Sequence, residues 1–220
     1  MTARGYSMAI IGKRDGALSD SAYRILRQKI VLGELREGKR IGQIETARDL
    51  GISKIPVREA FLLLAAEGLI SLSPNSGAIV APMSPANVVE TFELRLALEC
   101  AALEASYLAM SSERRKKLRL LNQQYGGTWD RRDQIRLNEK FHISLLSPDD
   151  RPRIYRGACA EIENSGRALR SLPYIEAEHE RATEEHDAIL DACERGAIDH
   201  AKTILREHLK RTMTIYTASV

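Results

Sequence analysis

The chain has 220 residues, of which 44% are hydrophobic, 29% charged and only 5% aromatic. That length suggests one large or two modest domains, the apolar fraction is ample for a buried core, and the shortage of aromatic residues points to helix rather than a β-sandwich. No apolar run reaches the roughly 20 residues that span a bilayer, and Lys13, Arg14 and Asp15 cut short any signal-peptide core, so a cytoplasmic protein with no membrane partner is expected.

The net charge of +3 is unevenly placed. Residues 1–83 hold 12 Lys and Arg against 8 Asp and Glu, whereas the remainder holds 21 against 22. An anionic partner therefore belongs with the N-terminal part. Cys100, Cys159 and Cys193 are far apart, odd in number and form no CxxC pair, which reads as buried thiols rather than disulfides or a thiolate zinc site.

In chain order, residues 1–16 read as a flexible tail. Ser19 is placed to cap a helix whose apolar stripe is Ala22, Ile25, Leu26 and Ile30, ending at Gly33. A short helix from Gln43 to Leu50 stops at Gly51, where a left-handed turn suits glycine. Ser53 then caps a third helix: Pro56 fits a first turn, Val57, Ala60, Phe61, Leu64 and Ala65 supply its buried face, and Gly68 ends it. Leu69, Ile70 and Leu72 read as a strand, Pro74-Asn75-Ser76-Gly77 as a turn, and Ala78-Ile79-Val80 as the returning strand. Two short helices joined by Gly-Ile-Ser and followed by a hairpin form a winged helix-turn-helix, over about residues 17–83. Its second helix presents Ser53, Lys54 and Arg58 to a DNA major groove. Arg58 reads as a base or phosphate contact, or as a surface ion pair with Glu59 or another acid; Lys54 reads as a contact or as a solvated charge; Gly77 reads as a requirement of the turn.

From Ser84 to Val220 every apolar repeat is helical, and about six helices are expected. The first, capped by Ser84, runs through Val88, Phe92 and Leu96 to Leu108. The next is capped by Ser111 or Ser112 and broken at Gly126-Gly127. Others fall near 130–146, 151–171, 175–195 and 197–217, separated by Pro148 and Pro152, Pro173 and Gly196. The fold class is thus mainly α, a winged helix-turn-helix followed by an all-helical bundle. Within the bundle Asn138 and His142 lie four apart on one helical face, and His186 and His208 sit among residues expected to face inward. Separate, hydrogen-bonded histidines are the plainer reading; converging ligands of a divalent metal are the sharper one. Arg95 can pair with Glu99 one turn on, or reach a ligand carboxylate. His179 and His200 read as surface residues.

The stretch LGISKIPVREAFLLLAAEGLISLSPNSGAIVAPMS resembles the winged helix of the GntR family of bacterial transcription regulators, most specifically at Pro56-Val57-Arg58-Glu59-Ala60. The resemblance implies DNA contacts by Ser53, Lys54 and Arg58 and by a wing that includes Asn75, Ser76 and Gly77. Lys54 stands where the family has Arg, Ile55 where it has Thr, and Ser76 where it has a wing-tip Arg. ELRLALE, NEKFHISLL, EEHDAIL and ILREHL resemble the FCD ligand-binding domain of the FadR-type branch. That resemblance implies a metal site, zinc or nickel, at Asn138, His142, His186 and His208, with Asn138 in place of the usual Asp. It also implies a pocket for a small organic acid beside it, where Arg95 stands in the ELR pattern. Together these imply a homodimeric, ligand-responsive repressor of a palindromic operator. The rival readings are a metal-dependent enzyme using His142, His186 and His208 to activate water, for which no general base is obviously placed, and a helical adaptor, which leaves the basic N-terminal part unexplained.

Overall fold

The computed structural model describes residues 4–73, 77–108, 110–149, 151–171 and 176–218, with side chains described from Gly16 onward except that of Ser171. It divides into two compact units, Met1–Pro82 and Met83–Val220.

The first unit contains α1 (Arg4–Val31), β1 (Arg40–Gly42), α2 (Gln43–Leu50), α3 (Lys54–Ala66), β2 (Ile70–Ser73) and β3 (Gly77–Val80). Ala22, Leu26 and Ile30 of α1 pack with Val57, Ala60, Phe61 and Leu64 of α3 and with Ile41, Ile70, Ala78 and Val80 of the sheet. Gly51 closes α2 at φ 66°, and its N–H bonds the carbonyl of Arg48, the left-handed end that a glycine takes without strain. Two expectations fail in α1. The helix begins at Arg4, inside the stretch expected as a tail, because no proline interrupts it and extension of a formed helix costs far less than starting one. Ser19 is not its cap; it is buried within the helix, and its hydroxyl donates to the Glu59 carboxylate of α3.

The sheet has the order β1-β3-β2, all antiparallel, with Arg40 opposite Ile79 and Ile70 opposite Val80. The β1 strand is not among the expected elements, since three residues are too short for an alternation to register. It also changes the meaning of Gly77. This residue lies inside β3, between Gly42 and Ser73, and a Cβ there would sit 2.5 Å from the Ile41 carbonyl oxygen. Close approach of a neighbouring backbone, rather than turn geometry, is what requires glycine.

The second unit is helical throughout its described residues: α4 (Pro85–Ser106), α5 (Ser112–Gly126), α6 (Arg131–Leu145), α7 (Pro152–Ser171), α8 (Glu176–Glu194) and α9 (Ile198–Ala218). Ser84, Ser111 and Asp130 cap α4, α5 and α6, each side chain accepting from the backbone N–H three residues on. The α4 helix stops at Ser106, short of the expected Leu108, which is 82% exposed and has no core to hold it. Neighbouring helices pack in the cyclic order α4, α7, α6, α5, α8, α9 and back to α4. Six helices around one axis leave a central core, and Phe92, Leu103, Phe141, Ile189 and Leu205 fill part of it.

Candidate functional site

In the first unit, Ser53 has the extended backbone of an N-cap, but its hydroxyl makes no cap hydrogen bond, and Ser53, Lys54, Ile55 and Arg58 are all exposed. The buried face of α3 holds Pro56, Val57, Ala60, Phe61 and Leu64, so the helix anchors by one side and offers the other. Glu59, the nearest acid to Arg58, accepts from Ser19 instead, and no ion pair joins Arg58 to a described residue. The turn residues Asn75 and Ser76 lie outside the described residues. Gly77 belongs to the sheet.

In the second unit, the six-helix ring gathers His142 from α6, His186 from α8 and His208 from α9. Their ring centroids are 5.0–5.3 Å apart, and one ring nitrogen of each lies within 4.8 Å of the others. All three rings are buried. Their orientation is set from behind. His142 Nδ1 is 2.8 Å from Glu99 Oε2, His208 Nδ1 is 2.8 Å from Glu185 Oε2, and His186 Nδ1 is 3.0 Å from Asn122 Oδ1. A carboxylate only accepts, so the first two Nδ1 atoms carry the proton. Asn122 donates its amide N–H to the Thr183 carbonyl at 2.9 Å, which turns its oxygen toward His186 and fixes that tautomer as well.

Every Nε2 is therefore a bare lone pair. Those of His142 and His186 are buried with no hydrogen-bond partner. Three acceptors facing one another without a donor are unsatisfied as they stand, and a cation is the group that satisfies them. Burial pushes the His142 imidazole down to about 4, despite the Glu99 carboxylate beside it, and holds His186 well below its ordinary value. Both are neutral, as a metal ligand must be. The chemistry of the donor set fits a divalent ion that accepts imidazole nitrogen.

Arg95 is 1% exposed. Its Nε donates to Glu99 Oε1 at 2.6 Å and its Nη1 to Ser165 Oγ at 2.9 Å, while Nη2 is buried and unpartnered. Burial opposes the charge on the Glu99 carboxylate, yet Arg95 and His142 together draw its pKa down to about 2. Glu99 thus ties the guanidinium to the histidine cluster through its two oxygens. The ion pair expected between Arg95 and Glu99 is present, and one arm of the same guanidinium is left over.

A cavity of about 90 Å³ opens here, lined by Arg95, Asn138 and His208 and also by Tyr125, Gln134 and Arg211. Asn138 lies one turn before His142 on α6 and faces this cavity, beside the three converging rings. His179 corrects an expectation: it is buried, 4.5 Å from the Tyr125 ring, and lines the cavity. It shares its helical phase with Ala182 and His186, a signal the sequence does contain. His200 is exposed as expected. Glu139, the acid next to Asn138, faces α7: a Cβ on Gly166 would run into its carboxylate.

Comparison with known proteins gives these sites a context. Residues 18–80 match the model for bacterial regulatory proteins of the gntR family, and residues 90–211 match that for the FCD domain. The chain is 30% identical to an uncharacterized HTH-type transcriptional regulator in an unstable DNA locus of Streptomyces ambofaciens, across 86% of this chain and 80% of that protein. It is 28% identical to the HTH-type transcriptional repressor RspR of Escherichia coli (strain K12), across 88% and 86%. In fold it is similar to E. coli McbR/YncC, with a TM-score of 0.79 over 92% of this chain and 98% of that one at 21% identity. The chain belongs to the GntR family of bacterial regulatory proteins, among those with an FCD domain, and is a DNA-binding transcriptional regulator rather than an enzyme.

Proposed function

We propose that the protein is a homodimeric repressor whose hold on a palindromic operator is changed by a small organic acid bound beside a divalent metal ion. The reading head is residues 17–83. Ser53, Lys54 and Arg58 face the major groove, and the wing that includes Asn75, Ser76 and Gly77 lies toward the adjacent backbone or minor groove. Residues 84–220 bind the effector and dimerise, since two reading heads related by a two-fold axis match a palindrome.

His142, His186 and His208 would hold the ion, with Asn138 turned toward the same space; three imidazoles suit zinc or nickel. An amide in place of a carboxylate leaves the site about one charge more positive, which favours an anionic effector. When bound, the ion supplies a Lewis-acidic position for a carboxylate. Arg95 Nη2 supplies the second, a buried cation with a hydrogen still to give. The observation that carries this reading is the set of three histidines whose Nδ1 atoms are all engaged, leaving the Nε2 atoms turned toward one another.

Elemental analysis of protein purified without a metal-chelate column tests it. The expected result is close to one equivalent of zinc or nickel per chain, lost in His186→Ala. A metal-free protein that also fails to take up either ion, and behaves like His186→Ala in doing so, would show the reading to be wrong.

A further inference from the structure

The effector cavity carries a second unpartnered polar atom, at a distance from the histidines. Gln134 is 1% exposed and lines the cavity. Its Nε2 donates to the Thr128 carbonyl at 3.0 Å, and a carbonyl can only be met by a donor, so the amide cannot be flipped. Oε1 is consequently fixed on the other side, buried and without a hydrogen-bond partner. A buried acceptor left bare is destabilising unless something that enters the cavity donates to it.

We infer that Gln134 selects the effector's far end, accepting a hydrogen bond from a neutral hydroxyl, and that the effector is a hydroxylated organic acid. This rests on the proposed binding of an organic acid with its carboxylate at the Arg95 end. The two ends are separable along the helices. Arg95 meets α7 at Ser165, whereas Arg131, one turn before Gln134 on the same face of α6, meets α7 at Leu169. That is one helical turn, roughly 6 Å of rise, so the hydroxyl lies several carbons from the carboxylate.

The lining chemistry excludes the other common end groups. An ammonium would also donate to Oε1, but Arg95, Arg131 and Arg211 line the same cavity, and the one acid among its described lining residues, Glu178, is already paired with Arg211 at 2.9 Å. A second carboxylate would turn lone pairs on the Gln134 oxygen. A methyl end would leave the oxygen bare. A neutral O–H donor meets neither repulsion and fills the vacant bond.

Calorimetric titration of the zinc-loaded protein with four matched four-carbon acids decides the point: butanoate, 4-hydroxybutanoate, 4-aminobutanoate and succinate. The hydroxy acid is expected to bind about tenfold or more tightly than the other three, the discrimination typical of a site with a buried group awaiting a partner. Gln134→Met, of similar length and apolar, should bring 4-hydroxybutanoate down to the level of butanoate while butanoate itself binds as before. Equal binding of all four by the wild type, a preference for succinate or 4-aminobutanoate, or a hydroxyl preference that survives Gln134→Met overturns the inference while leaving acid binding intact. Binding of none of the four by wild-type protein overturns the acid-binding reading together with the inference. The wild-type series discriminates between these outcomes even if the variant does not fold.

Discussion

The residues behind the histidines matter as much as the histidines. Asn122 does not face the converging Nε2 atoms, yet it alone fixes the His186 tautomer. Asn122→Ala should therefore leave a site that still binds zinc, with affinity lowered roughly 10–100-fold, as a competition titration against a chromophoric chelator would read. No loss of affinity would mean that the ring is oriented by packing alone. Glu99 has a heavier task, because it neutralises a buried guanidinium and holds His142 at once. Glu99→Leu strands Arg95 without a counter-charge and should cost about 3–5 kcal/mol of unfolding free energy in urea melts.

Protonation follows from the same burial. His142 titrates near 4 and His186 well below its ordinary value in the folded chain, whereas both take up a proton near 6.5 once unfolded. Their folded values are lowered, so the stability they contribute is complete above pH 6.5 and declines as pH falls toward 4. Urea midpoints of chelator-treated protein should fall steadily below that pH; a flat profile across the interval would contradict the neutral, buried assignment.

Among single residues the sequence is informative about the ligands and silent about their supports. Histidine phase and family resemblance single out His142, His186 and His208. Their supports stand 43, 64 and 23 residues away, at Glu99, Asn122 and Glu185, and chain distance carries no trace of such pairings. Glu185 is the sharpest case: it is adjacent to His186 but serves His208, because neighbours in a helix point about 100 degrees apart.

Among the elements, α3 and the strands beside it set the DNA-facing surface. Lys54 and Arg58 are exposed on the side of α3 away from its core face. Lys54→Ala should weaken binding about evenly across sequences and lower the salt slope by about 1, whereas Arg58→Ala, if it reads a base, should cost about 1–3 kcal/mol at one position of the site. Anisotropy titrations at several salt concentrations separate the two outcomes. Gly77→Ala places a methyl against the Ile41 carbonyl and should destabilise the first unit by about 1–3 kcal/mol; an unchanged thermal midpoint would show that β1 can move aside. Most helices can be read directly, since caps such as Ser84, Ser111 and Asp130 are local signals and so are the glycines that follow α2 and α3. The β1 strand cannot, because its three residues are defined only by pairing with β3, some forty residues later.

For the whole molecule, the sequence conveys a basic N-terminal part and a near-neutral helical part, and these match the two compact units. What it does not convey is the closed order of the second unit's helices. That order brings side chains from all six to one place: Arg95 and Glu99, Asn122, His142, Ser165, His186 and His208. A metal and an acid held there can influence DNA binding only as far as their affinity differs between the DNA-competent and incompetent arrangements of the dimer, commonly 5–150-fold in such couplings. The most direct test is a titration of the DNA upstream of the protein's own gene with zinc-loaded and with chelated protein, with and without the acid that binds best. Salt-dependent binding is expected, weakened at least fivefold by the acid in the zinc-loaded protein and unchanged by it in the chelated one. An identical response to the acid with and without metal, or no binding to that DNA under any of the four conditions, would contradict metal-dependent control of DNA binding by an acid.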